Sequence, residues 1–335
     1  MYIPNSKWTW LFVVIALIQA AVILGLESYV FADFQIHLES VATGSYSSTK
    51  TIPTFLSLYI FGFVYELVLV YDALRLKNTI QIIGICICNV GLLIYGAVQI
   101  EQIQEAVHLL QGAIDIDLWQ QAKPVLIAIP CILGFTSILM IGVAWKLYDE
   151  FAWTIYKHIS ADLRMKRRYL TYQIYIALLK FDFFFFLGFT VQFVVVVTGR
   201  TDTEFALTIA AIPVTIIILL FAAFFTRREN TAGMFVVIIL YFGGLAYFLF
   251  KLVRMYQPSR EKDYTSARRS LTFFAVITLI LIVSTIINAI VCTINFHKGL
   301  KPHIWKPHKS RDEEKSTEMG SQTPGNNVPS RMMID

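Results

Sequence analysis

The sequence predicts an all-α, polytopic integral membrane helix bundle of about eight transmembrane helices, with seven as the rival count. Three observations carry this. Of 335 residues, 56% are hydrophobic and 15% charged, with a mean hydropathy of +0.62, whereas soluble domains run to about 25% charged. The apolar residues gather in blocks long enough to cross a bilayer. The segments between the blocks are polar, and several are short and basic.

Residues Met1 to Lys7 form a polar start, and Trp8 to Phe31 is the first expected span, with Glu27 near its outer end. It is too long for the apolar core of a signal peptide and is read as a retained anchor. A Ser- and Thr-rich loop follows. The second span, Pro53 to Leu74, holds Glu66 inside it and Asp72 at its end. After the basic turn at Arg75 and Lys77 comes the third span, Ile80 to Ile100, with Asn89 in its interior. Glu101 to Gln121 is acidic, and Ile103, Val107 and Leu110 recur at helical spacing.

The fourth span, Pro124 to Trp145, opens on a proline and is interrupted by Pro130. A charged, aromatic segment then runs from Lys146 to a basic cluster at Arg164, Lys166, Arg167 and Arg168, and the fifth span occupies Tyr172 to Val197. Phe205 to Thr226 is the sixth span, with Pro213 as an expected kink. Thr231 to Leu252 is the seventh, softened by Gly243 and Gly244, and Leu271 to Phe296 is the eighth. Residues 1–296 therefore form the bundle, and 297–335 a disordered, basic cytosolic tail. No repeated motif links the two halves of the chain in this reading.

With a cytosolic amino terminus, eighteen Lys and Arg fall on the cytosolic side and nine on the other, and Lys180 sits in a span. That agrees with the excess of basic residues in cytosolic loops, although the loop from Lys251 to Arg269 dissents. The net charge of +5 is modest, and its clusters flank apolar runs. It suits anionic headgroups rather than nucleic acid. Arg164, Lys166, Arg167 and Arg168 are the candidate headgroup contacts, and Lys298, Lys301, Lys306 and Lys309 read the same way. The stripe Leu147, Phe151, Ile155, Ile159, Leu163 is either an extension of the fourth span or an interfacial helix.

Several chemistries lack their residues. The six histidines fall outside the expected spans, so a membrane-embedded histidine-ligated metal site is not expected. There is no P-loop, dinucleotide turn or nucleophile elbow. Cys86, Cys88, Cys131 and Cys292 lie in spans and read as small packers. Lys180 could suggest a retinal Schiff base, but a lone lysine argues for structural pairing first. No cofactor, metal or enzymatic activity is expected.

Lys180, Asp182, Glu66 and Asn89 form the candidate intramembrane polar site, because ionisable groups in a span need partners or water. Lys180 and Asp182 are about 200° apart on a helix, so each needs its own partner. Glu66 and Lys180 each lie eight residues from the cytosolic end of their expected spans, about 12 Å in, which makes them the expected pair. Asp182 is expected to meet Asn89, a tyrosine hydroxyl or water. These charges are either a polar pathway or a device that fixes helix register.

The segments Lys146–Lys157 (KLYDEFAWTIYK), Ile159–Asp162, Leu179–Phe183 (LKFDF), Gly188–Gln192 and Asn295–Lys301 resemble an uncharacterised fungal family of multi-pass Golgi apparatus membrane proteins. The resemblance implies Golgi residence and a multi-pass topology, and it supplies no reaction. The expected function is a non-enzymatic Golgi membrane protein that moves a small solute or ion. The alternative is a trafficking or scaffold protein that recruits protein partners.

Overall fold

The computed structural model describes residues 6–39, 47–109, 116–158, 163–196, 202–257 and 268–299. Among them are eight long α-helices: α1 Lys7–Glu39, α2 Ser47–Arg75, α3 Thr79–Leu109, α4 Ile116–His158, α5 Leu163–Val196, α6 Asp202–Arg228, α7 Thr231–Met255 and α8 Arg268–Ile294. All eight are long and apolar enough to cross a membrane. The expected tail from Lys301 onward and the loop around Arg260 lie outside the described residues.

Helices adjacent in sequence run antiparallel and close two rings. In the first, α1 packs on α2 and α4, and α3 packs on α2 and α4. In the second, α5 packs on α6 and α8, and α7 packs on α6 and α8. The rings meet where α5 lies against α2 and α3, and α8 against α3. Two-thirds of the apolar window of α5 is buried, against 11% for α6. So α5 is the hub, and α6 is a peripheral helix.

The halves share more than an order of packing. The α2–α3 turn reads Arg75-Leu-Lys-Asn-Thr79 and the α6–α7 turn reads Arg227-Arg-Glu-Asn-Thr231. Lys77 and Glu229 both take positive φ, at 49° and 53°, a conformation uncommon outside glycine. Asn78 N–H then reaches back to Ala73 O at 2.9 Å, and Asn230 N–H to Phe225 O at 3.0 Å. Each asparagine also caps the next helix, accepting from Gln81 N–H at 3.3 Å or Gly233 N–H at 3.2 Å. Adding 152 to the first residues of α3 and α4 gives the first residues of α7 and α8. The chain thus has a four-plus-four, parallel arrangement, where the sequence reading found no repeat. Beyond the turn, identical residues at this offset are scattered, as with Gly91 and Gly243 or Tyr95 and Tyr247.

Several helices outrun their expected spans. The reason is an apolar stripe that continues into the polar segment. Beyond Phe31, Phe34 is buried with Ile52, Ile103, Val107 and Leu126 in a cluster that keeps α1 and α3 helical to Glu39 and Leu109. Leu147 and Phe151 are buried in the main core, so Lys146–His158 prolongs α4 and is not a separate interfacial helix. Pro53, Pro124, Pro130 and Pro213 all sit inside helices, and α4 begins before its first proline. Pro124 and Pro213 are exposed and Pro53 and Pro130 half-buried, and membrane helices tolerate such breaks where local adjustments re-satisfy the freed groups.

The outer faces are apolar, as with Val214, Leu220, Phe235, Ile239 and Ile280. So much exposed hydrocarbon fits a lipid solvent and not water. Trp8, Trp10, Trp145 and Trp153 are exposed near the end that carries Arg75, Arg164 and Arg227, where an interfacial aromatic belt belongs. It is the basic end of the bundle.

Candidate functional site

Lys180 and Asp182 leave α5 in opposite directions, as two residues of helical rotation require. Lys180 does not meet Glu66. Its ammonium pairs with Asp72 of α2 and donates to Gln81 Oε1 of α3 at 2.8 Å. Gln81 Nε2 closes the triangle by donating to Asp72 Oδ2 at 3.1 Å and to Leu69 O at 3.0 Å. Equal backbone depth does not place the two charges together. A lysine stem of four methylenes carries its charge toward the nearest interface, and Asp72 lies about 9 Å nearer that interface than Glu66. The ion pair is only partly buried, at 24% and 33% side-chain exposure. Tyr65 anchors the backbone here, donating to Lys180 O at 2.8 Å.

Glu66 sits deeper, among amides. Gln19 Nε2 of α1 lies 3.3 Å from both carboxyl oxygens and donates to Asn89 Oδ1 at 3.1 Å. Asn89 Nδ2 of α3 donates to Glu66 Oε1 at 3.0 Å and lies 3.2 Å from Met140 Sδ of α4. One residue from each helix of the first ring thus meets at its centre, and all are buried. Asn89 therefore serves Glu66 and not Asp182. Toward the other end, Gln99 Nε2 donates to Glu27 Oε1 at 2.7 Å, and Gln192 Nε2 to Tyr95 Oη at 3.1 Å. Carboxyl–carboxamide contact is the recurring device of this half. Such bonds add about 0.6 to 2 kcal/mol each between membrane helices.

Asp182 differs. Thr285 Oγ1 of α8 donates to its Oδ2 at 2.6 Å. Its Oδ1 is buried and receives no hydrogen bond from the described residues. The side chain lines a cavity of about 60 Å³ at the centre of the second ring, with Phe186, Thr215, Ile218, Tyr241, Gly244 and Thr278. The offset of 152 maps Glu66 and Asn89 onto Ile218 and Tyr241, two of those lining residues. Where the first ring fills its centre with a polar cluster, in which Gln19 Oε1 lacks a hydrogen bond among the described residues, the second keeps a space beside an acid.

Of the headgroup candidates, Arg164, Lys166 and Arg167 are exposed on the first turns of α5, while Arg168 is half-buried and donates to Lys298 O at 2.7 Å. Cations at a helix amino terminus oppose its dipole, so helix stability does not account for this cluster. Cys86, Cys88 and Cys292 are buried as expected, but Cys131 faces outward.

Sequence reasoning missed Gln19, Gln81, Gln99 and Thr285 as partners. A signal was present. Glutamines inside apolar spans are costly unless bonded, and each could have been matched to an acid.

No family model and no solved structure matches the chain. A UPF0658 Golgi apparatus membrane protein of Schizosaccharomyces pombe is 34% identical over 320 residues, covering 89% of this chain and 90% of that protein. The match reaches well beyond residues 146–301, where the resemblance was first legible, and takes in at least part of both rings. On that similarity the chain belongs to the UPF0658 family of Golgi apparatus membrane proteins.

Proposed function

We propose that the chain is a non-enzymatic carrier or channel that moves a small solute or ion across the Golgi membrane, with Asp182 as the group that meets it. One observation carries this reading: the carboxyl of Asp182 lines a central cavity, and one of its oxygens receives no hydrogen bond from the described residues. Ionisable groups at such a place in a membrane protein mark solute and ion paths. Lys180 and Glu66 have a different role in this reading. Lys180 joins the two rings through Asp72 and Gln81, and Glu66 ties the helices of the first ring to one another. The basic end faces the cytosol, where Arg164, Lys166 and Arg167 meet anionic headgroups.

The closure of the Lys180 and Glu66 clusters also favours a second reading, a trafficking scaffold whose buried charges only fix helix register. Flux separates the two. Full-length protein in liposomes is scanned for proton, alkali-cation and organic-cation flux, with Asp182→Asn and the double variant Lys180→Met, Asp72→Asn alongside. The carrier reading expects flux that falls at least about tenfold in Asp182→Asn and persists in the double variant. Flux absent under every gradient, or unchanged in Asp182→Asn, removes it and leaves the scaffold.

A further inference from the structure

The depth and the walls of the Asp182 cavity say what it can accept. Its lining residues on α7 run from Leu240 to Phe248. They begin nine residues from Thr231, about 14 Å in from the basic end. Seven residues, about 10 Å, remain before Met255. The cavity is therefore well inside the bilayer. Its walls are unequal. Of the five lining residues that are not buried, Thr215, Ile218, Leu240 and Gly244 lie on α6 or α7, and Ile282 lies on α8. The less covered side is the seam between α6 and α7, whose outer faces are apolar. Entry from that side is entry from lipid.

We propose that this cavity is a lateral binding site for a lipophilic primary amine, which enters between α6 and α7 and places its ammonium on Asp182. The inference rests on the carrier reading and narrows its solute. A terminal methylene and ammonium make a small head that suits a small cavity of about 60 Å³. Charge excludes phosphate, which an acid repels. A neutral alcohol could donate to Oδ1, but an amine supplies both the donor and the positive charge. No protein cation pairs with Asp182 among the described residues, since Lys180 points to Asp72. The rest of the lining, Ile218, Leu219, Leu240, Phe248 and Ile282, is hydrocarbon suited to the first part of an alkyl chain.

The test uses the full chain in phosphatidylcholine liposomes. The probe is an octadecylamine with a mid-chain diazirine, and the comparators are the matched alcohol and a diazirine phosphatidylcholine. After illumination, labelled peptides are mapped by mass spectrometry. The amine should label α6 and α7, and excess octadecylamine should compete. Asp182→Asn, which keeps an oxygen for Thr285, should lower labelling at least about tenfold. Gly244→Leu should do the same by filling the mouth. No atom lies within 4 Å of a Cβ built there, so the fold admits the change. Gly243→Leu, on the exposed face, should leave labelling intact. Equal labelling of Asp182→Asn, or equal labelling by the alcohol or the phosphatidylcholine, overturns the proposal. Amine labelling without amine flux keeps the site and removes carriage. Flux of a water-soluble ion without labelling keeps carriage and removes this ligand.

Discussion

Replacing Lys180 by methionine tests the architecture most directly, because the expected pair and the observed pair make opposite forecasts. The structure joins Lys180 to Asp72 and Gln81, with Glu66 held elsewhere by Gln19 and Asn89. Exposed ion pairs contribute about 0 to 1 kcal/mol, and breaking a fully buried one costs about 3 to 5 kcal/mol. At 24% and 33% side-chain exposure the pair falls between, so its coupling should be about 1 to 3 kcal/mol. Gln81 remains as a donor to Asp72 after the lysine is gone, which keeps the loss below the buried limit.

The assay is a double-mutant cycle read by reversible unfolding of the full chain in mixed detergent micelles. Lys180→Met with Asp72→Asn should be less damaging than the sum of the single changes, by that same 1 to 3 kcal/mol, roughly a 5- to 150-fold difference in the folded ratio. Lys180→Met with Glu66→Gln should add within about 0.5 kcal/mol, as non-contacting sites do. Additivity with Asp72, or coupling with Glu66, would refute the placement of Lys180.

Other outcomes follow from single interactions. Glu66→Leu should cost about 2 to 4 kcal/mol by stranding the amides of Gln19 and Asn89, and Glu66→Gln, which keeps one acceptor, should cost under about 1 kcal/mol in the same unfolding assay. Gly188→Ala should destabilise by about 1 to 3 kcal/mol, because its Cβ would lie 2.6 Å from the ring of Phe274. Gly142→Ala meets nothing within 4 Å and should be neutral or stabilising by up to about 1 kcal/mol through helix propensity. Asn230→Ala should cost about 1 kcal/mol and raise hydrogen exchange in the first turn of α7, since its side chain caps that helix.

The membrane class and all eight helices were legible because hydrocarbon thickness sets a length that composition alone can meet. Helix ends were not, because Phe34, Ile103 and Phe151 continue apolar stripes into segments whose average is polar. The opposed directions of Lys180 and Asp182 were legible from helical rotation. Their partners were not, because a long side chain displaces its charge from its own backbone level, and rotation and depth together leave several candidates on neighbouring helices. The shared turn was in plain view as Arg-x-x-Asn-Thr, yet five residues mean little until Lys77 and Glu229 are seen in one unusual conformation at equivalent places.

The two rings assign different work to similar frames. In the first, each of four helices sends one side chain to the centre, and Gln19, Glu66, Asn89 and Met140 contact one another there. In the second, the mapped positions of Glu66 and Asn89 carry Ile218 and Tyr241. Tyr241 lies 3.3 Å, hydroxyl to hydroxyl, from Tyr175 and makes no hydrogen bond to the acid in the structure. The acid of that ring comes instead from α5, the helix that also binds the first ring through Lys180. A displacement of α5 that brings Asp182 onto a ligand therefore moves Lys180 against Asp72 and Gln81 two residues away. On the proposed site, ligand binding in the second ring and the seam between rings would share one turn of α5. If that joint operates, saturating octadecylamine should reduce the destabilisation caused by Lys180→Met, because the bound amine holds one side of α5 after the ion pair on its other side is gone. An amine that stabilises the wild type and Lys180→Met equally would show that the two faces of α5 act independently.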